Sequence, residues 1–200
     1  MNKKMVSFIH FHNSASQTLD VILHGGSVGI GSPFMQKVFQ VSKDRGNSVI
    51  MFNFPYFEMG EDHSSGPKLK EELSTLKRML RIAGASEFTR IRLIGKSLGG
   101  IVASFYLDSL DFEEKKRYEV IILGYVTGDV KLEGFGGKIT IIQGEKDKFG
   151  DIDMVKKDLQ DAVSRNIAYY QIPNADHSFR DPVTKEPIYE EEVIRIFRMI

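Results

Sequence analysis

The chain contains no cysteine. That excludes disulfides, a thiolate metal site and a cysteine nucleophile. It also lacks an excess of either charge, since 27 Lys plus Arg balance 27 Asp plus Glu. Without a basic field there is nothing to hold nucleic acid or an anionic membrane surface. No apolar run approaches the ~20 residues of a membrane-spanning helix. Internal repeats, low-complexity tracts and linkers are missing as well. What remains is ordinary for a globular protein, 42% hydrophobic and 27% charged over 200 residues. One domain over residues 1–200 is expected, long enough to bury roughly 70% of the surface of its unfolded chain. At the N-terminus Lys3 and Lys4 precede the short apolar stretch from Met5 to Phe11, and Ser14-Ala15-Ser16 follows. This is only a faint echo of a signal peptide, because the apolar part is short and carries Ser7 and His10. A cytoplasmic location is the expectation.

Runs of β-type apolar residues alternate with helical patterns. Residues 5–11 alternate around Val6, Phe8 and His10, which predicts a first strand at a sheet edge. His10 and His12 have no third ligand type nearby and read as solvated side chains rather than a metal site. Strands are predicted at 18–23, 48–54, 91–94, 119–123, 138–143 and 167–172. Ser32-Pro33 is a helix-start signal, with Phe34, Val38 and Val41 following at helical spacing. Residues 56–66 are polar and broken by glycine, and read as a surface loop. Pro67 and Gly84 bracket a helix with Leu69, Leu73, Leu76 and Leu80 as its stripe. Asp151 or Asp153 caps a helix with Ile152, Val155, Leu159 and Val163 inward, and Pro187 opens the last one. Such alternation predicts an α/β fold, a mainly parallel sheet with helices on both faces.

One stretch organises the rest. The apolar residues 91–94 run into Gly95-Lys96-Ser97-Leu98-Gly99-Gly100 and then into the helix-like block from Ile101 to Leu107. Strand, G-x-S-x-G, helix is the setting in which a serine sits on a sharp, strained turn with its hydroxyl exposed above the sheet. Side chains at Gly95 and Gly99 would collide with neighbouring backbone, and Gly100 lets the helix pack close to the sheet. A phosphate-binding loop is excluded, because Arg90 stands where that motif needs its first glycine. Lys96 could lean toward an anionic substrate group, but a solvated side chain beside the site is expected.

In open α/β sheets ligands sit outside the carboxyl ends of the strands. The residues that follow the predicted strands there are His24-Gly25-Gly26-Ser27, Ser97, Gly144-Glu145-Lys146-Asp147 and the segment from Pro173 to Phe179. Together they carry what acyl transfer requires. A serine hydroxyl needs a base to take its proton, and of five histidines His177 alone follows the last strand. A carboxylate must fix the imidazole tautomer, and Asp147 sits where it is expected, giving the chain order Ser, Asp, His. Asp129 is the alternative acid. Asp176 reads better as a loop-capping carboxylate. The oxyanion needs preset donors, for which the Leu98 N–H and the Gly26 N–H are the candidates, with Ser27 behind Gly26. A plain tight turn would also account for these glycines, and His24 is read as an anchor for that loop.

His24-Gly25-Gly26, Gly95-Lys96-Ser97-Leu98-Gly99, Asp147 and His177 together resemble the α/β-hydrolase superfamily, nearest to compact, lidless members similar to dienelactone hydrolases. The resemblance covers nearly the whole chain. It implies a serine hydrolase working through a covalent acyl-enzyme, with no cofactor, and the first reading of its substrate is a small carboxylic ester or thioester. Dienelactone hydrolases use a cysteine nucleophile, which this chain lacks, so their substrate is not carried over. The loop after 119–123 is short, which implies an open site. The competing readings are a catalytically silent binding protein on the same fold and an amidase or peptidase.

Overall fold

A computed structural model describes residues 6–200. Lys3, Lys4 and Met5, on which part of the signal-peptide comparison and the start of the first predicted strand rest, lie outside the described residues. Seven strands form one sheet: β1 (Phe8–Phe11), β2 (Thr18–Leu23), β3 (Ser48–Phe52), β4 (Arg90–Lys96), β5 (Tyr118–Leu123), β6 (Ile139–Gly144) and β7 (Ile167–Ile172). Their order across the sheet is β1-β3-β2-β4-β5-β6-β7. All pairings are parallel except that of β1 with β3, which runs antiparallel at the edge with Phe8 opposite Phe52. The helices are α1 (Pro33–Asp44), α2 (Pro55–Glu58), α3 (Lys70–Ile82), α4 (Leu98–Asp108), α5 (Phe112–Lys115), α6 (Ile152–Asp158) and α7 (Glu190–Met199).

The central strands are buried on both faces, as a parallel sheet covered by helices requires. Side chains alternate sides, so the odd-numbered Leu19, Val21 and Leu23 of β2 join Leu93, Leu76, Met79, Val102 and Val155 in one core. Ile22, Met51, Ile94, Ile121 and Leu123 point to the other face and pack with Val38 and Phe39 of α1 and Val193 and Phe197 of α7. One buried ion pair interrupts that second core: Arg92 on β4 makes a bidentate pair with Asp20 on β2, at 2.7 and 2.6 Å. The two residues are aligned by the β2–β4 register.

Two predicted features differ. Residues 56–66 do not form a wholly exposed loop: Pro55 starts the one-turn α2, and Tyr56 is buried with its hydroxyl against the β2–α1 loop. The glycines and acids after it masked that turn. The helix that opens at Asp151 ends at Asp158, so Val163 lies beyond it and is exposed. Asp151 is its N-cap, accepting from the backbone N–H groups of Asp153 and Met154.

Candidate active site

The turn between β4 and α4 is tight enough to hold Ser97 at φ 50°, a left-handed value that a non-glycine residue adopts only under constraint. The neighbouring glycines make the constraint possible. A Cβ on Gly99 would stand 2.3 Å from the Leu23 carbonyl oxygen, and one on Gly95 would stand 2.4 Å from the Gly100 nitrogen. One on Gly100 would meet Ile122 at 2.8 Å. Strand, turn and helix therefore close on one another with no room for side chains, and the serine hydroxyl is pushed outward.

It meets the imidazole of His177. Ser97 Oγ lies 2.7 Å from His177 Nε2, and His177 Nδ1 lies 2.6 Å from Asp147 Oδ2. With Nδ1–H donating to the carboxylate, Nε2 is left to accept the serine proton. Asp147 is buried and further held: its Oδ1 accepts the Phe149 N–H at 2.8 Å, and its Oδ2 accepts from Gln143 Nε2 at 2.9 Å. Phe149 packs edge-on against the imidazole at 4.6 Å. Burial lowers the His177 pKa below 6.5, and the positive charges of Lys96 and Lys148 push the same way against the pull of Asp147. The imidazole is thus neutral around pH 7, the form that can take a proton.

The loop after β2 passes over the serine, for a Cβ on Gly25 would lie 3.7 Å from Ser97 Cβ. His24 anchors this loop from below. Its Nε2 accepts the Phe54 N–H at 2.8 Å, so its Nδ1 carries the hydrogen and donates to the Gly25 carbonyl at 2.7 Å. Burial pushes its pKa down to about 4, which keeps it neutral. The Tyr56 hydroxyl lies 3.0 Å from the Gly25 oxygen and 3.1 Å from the Gly26 oxygen. With those carbonyls turned toward Tyr56, the trans peptide geometry aims the Gly26 and Ser27 N–H groups the opposite way. The Leu98 N–H stands at the first position of α4, where no carbonyl within the helix can accept it.

Asp176 stands as the sequence reading had it, and Lys96 does not. Asp129 is exposed on the loop after β5, away from the carboxylate position that Asp147 occupies beside His177. Asp176 caps its own loop, accepting the N–H groups of Ser178 and Arg180. Lys96 is not solvated. It is buried, with its ammonium donating to the His177 carbonyl oxygen at 2.7 Å, because β4 continues through residue 96 and turns that side chain under the histidine loop. Sequence reasoning also missed Tyr56 and Gln143. An amide side chain near the end of the otherwise largely apolar run Ile139–Gly144 is the one signal that could have drawn attention to Gln143.

Ser97 and His177 line an open cleft of about 850 Å³, walled by Gly26, Phe57, Lys148 and Phe149 among others. Among the described residues no group of three or more histidine or carboxylate side chains is placed to hold a metal ion. No helix among them is long and apolar enough to cross a membrane.

A family model described as "Alpha/beta hydrolase domain" matches residues 16–200. The chain belongs to the alpha/beta hydrolase family. No curated protein matches it. Among solved structures, an alpha-beta serine hydrolase homologue from Coxiella burnetii superposes with a TM-score of 0.72 at 16% identity, covering 97% of this chain and 89% of that one. An esterase from Pyrococcus furiosus gives 0.69 at 18%, covering 97% and 87%. A serine hydrolase without lid from Xanthomonas campestris gives 0.71 at 13%, covering 97% and 86%. At these identities the likeness to other alpha/beta hydrolases is one of fold, and the dienelactone-hydrolase comparison gains nothing from it.

Proposed function

We propose that the chain is a serine hydrolase that cleaves small carboxylic esters or thioesters through an acyl-enzyme on Ser97. The observation that carries this reading is the unbroken line Ser97 Oγ–His177 Nε2, His177 Nδ1–Asp147 Oδ2 at the floor of an open cleft. Ser97 Oγ attacks the substrate carbonyl carbon while His177 Nε2 takes its proton. Asp147 holds the tautomer and stabilises the imidazolium that forms. The oxyanion is received by the N–H groups of Leu98 and Gly26. His177 then delivers its proton to the leaving alkoxide or thiolate, the acyl group stays on Ser97, and a water deprotonated by the same nitrogen releases the acid.

Cleft shape supports the substrate class. None of residues 124–138, which join β5 to β6, lines the cleft, so an accessible ester fits better than a long lipid chain that would need a lid to exclude water. Neighbours of the same fold named as serine hydrolases and an esterase point the same way. The test is covalent labelling by a fluorophosphonate probe, with the adduct located by peptide mapping. Wild-type protein should label on Ser97 and hydrolyse a short-chain ester, and Ser97→Ala should do neither. Labelling that persists in that variant, or none in the wild type, rejects the reading, and the second of these outcomes favours a silent binding protein.

A further inference from the structure

Within that reading, we propose that Lys96 is a positioning residue, whose buried ammonium ties the loop bearing His177 to the strand bearing Ser97 and so sets the imidazole over the hydroxyl. The bond runs from Lys96 Nζ to the carbonyl oxygen of His177 itself, at 2.7 Å. Base and nucleophile are thereby held by adjacent residues, Lys96 and Ser97, of one turn. The residue that follows the neighbouring strand β5 leaves room for this contact. A Cβ on Gly124 would stand 2.9 Å from Lys96 Nζ, 3.1 Å from the His177 oxygen and 3.2 Å from its Cε1. Beneath, the ammonium lies 5.3 Å from the ring centroid of Phe179, a fully buried residue held at φ 60° two positions after the histidine. The lysine thus grips both ends of the short segment that carries the base.

A neutral donor could tie a loop as well, so the charge calls for its own account. Among the described residues no carboxylate comes within ion-pairing distance of Lys96. The nearby charges are Asp147 and Asp176, which favour the ammonium, Arg180, which opposes it, and Glu190 of α7, which borders the same small cavity. An unpaired buried ammonium destabilises a fold. Such groups persist where a site uses them. Here the use is visible: the positive charge, with Lys148, favours the neutral imidazole, while Asp147 pulls the other way.

The test compares wild type with Lys96→Met, and, because the chain has no cysteine, with Lys96→Cys alkylated in denaturant and refolded. Alkylation with 2-bromoethylamine rebuilds an ammonium at lysine's length, and iodoacetamide leaves a neutral amide. Wild type taken through the same refolding serves as control. Two quantities are read: the rate of fluorophosphonate labelling on Ser97, and the His177 imidazole titration by NMR, assigned with His177→Ala. Loss of the tether should slow labelling by ~10–100-fold, the scale of a small misplacement. The His177 midpoint should rise, and the aminoethylated form should recover both while the amide form does not. Met-variant labelling at the wild-type rate, or slowing that the rebuilt ammonium does not reverse, overturns the proposal. If wild type itself does not label, the hydrolase reading falls, and an unchanged His177 titration in the Met variant overturns the positioning role separately. If the Met variant fails to fold, the two alkylated forms decide alone.

Discussion

Replacing Lys96 by Met should make the protein more stable and the site slower. Burial pushes the Lys96 pKa from 10.5 down to about 8, against the attraction of Asp147 and Asp176. That depression corresponds to about 3 kcal/mol by which the folded state disfavours the ammonium relative to the neutral amine. Met removes the charge and leaves a side chain of similar length. It also removes the donor to the His177 carbonyl, a loss of ~1 kcal/mol. The net expectation is a gain of about 2 kcal/mol at neutral pH. The pH dependence separates this cause from ordinary packing. Between about 8 and 10.5 the folded wild type has lost a proton that the unfolded chain still holds. Wild-type stability therefore rises with pH across that window, while the Met variant has no such slope. The difference should be full near pH 7 and absent or reversed toward the upper end of the window. Urea unfolding of both proteins at several pH values measures it, and shared titrations cancel in the difference. A Met variant less stable at pH 7, by an amount that does not change with pH, would refute the reasoning.

The remaining predictions concern the base, its acid and the core. Asp147→Asn should lower kcat by ~10⁴ without unfolding the protein, since the imidazole would lose the partner that fixes its tautomer; Asp129→Asn should leave kcat unchanged, and steady-state kinetics on a short ester with both variants checks the pair. The acid limb of kcat/KM should have its midpoint below 6.5, because burial and the Lys96 and Lys148 charges all favour neutral His177 in the free enzyme; a midpoint above that value would contradict the environment described. Arg92→Met should cost ~3–5 kcal/mol in chemical denaturation, because Asp20 is left buried with its charge and, among the described residues, the Asn47 amide alone at 3.1 Å. A loss nearer that of a surface ion pair would mean that water reaches Asp20.

Local chemistry alone announced the elbow. Glycines at 95, 99 and 100 around a serine, between an apolar run and a helical block, admit few backbones, and the structure packs those glycines against Leu23, Ile122 and each other. The strand–helix alternation likewise followed from hydrophobic period, a property of neighbours in sequence. That His177 and Asp147 come within hydrogen-bond reach of that serine was expected from their places after β7 and β6, through a general rule of parallel sheets rather than any local signal.

Lys96, Tyr56 and Gln143 were beyond such rules. A lysine beside a serine reads as solvated until the histidine loop is seen to fold across it, and a tyrosine after a proline reads as loop until its hydroxyl meets the carbonyls of Gly25 and Gly26. Burial and charge pairing are set by contacts between segments tens of residues apart, here 81 for Lys96 and His177 and 31 for Tyr56 and Gly25. Spacing along the chain dictates which backbone turns can form, but desolvation, and with it the protonation of Lys96, His24 and His177, belongs to the folded packing alone.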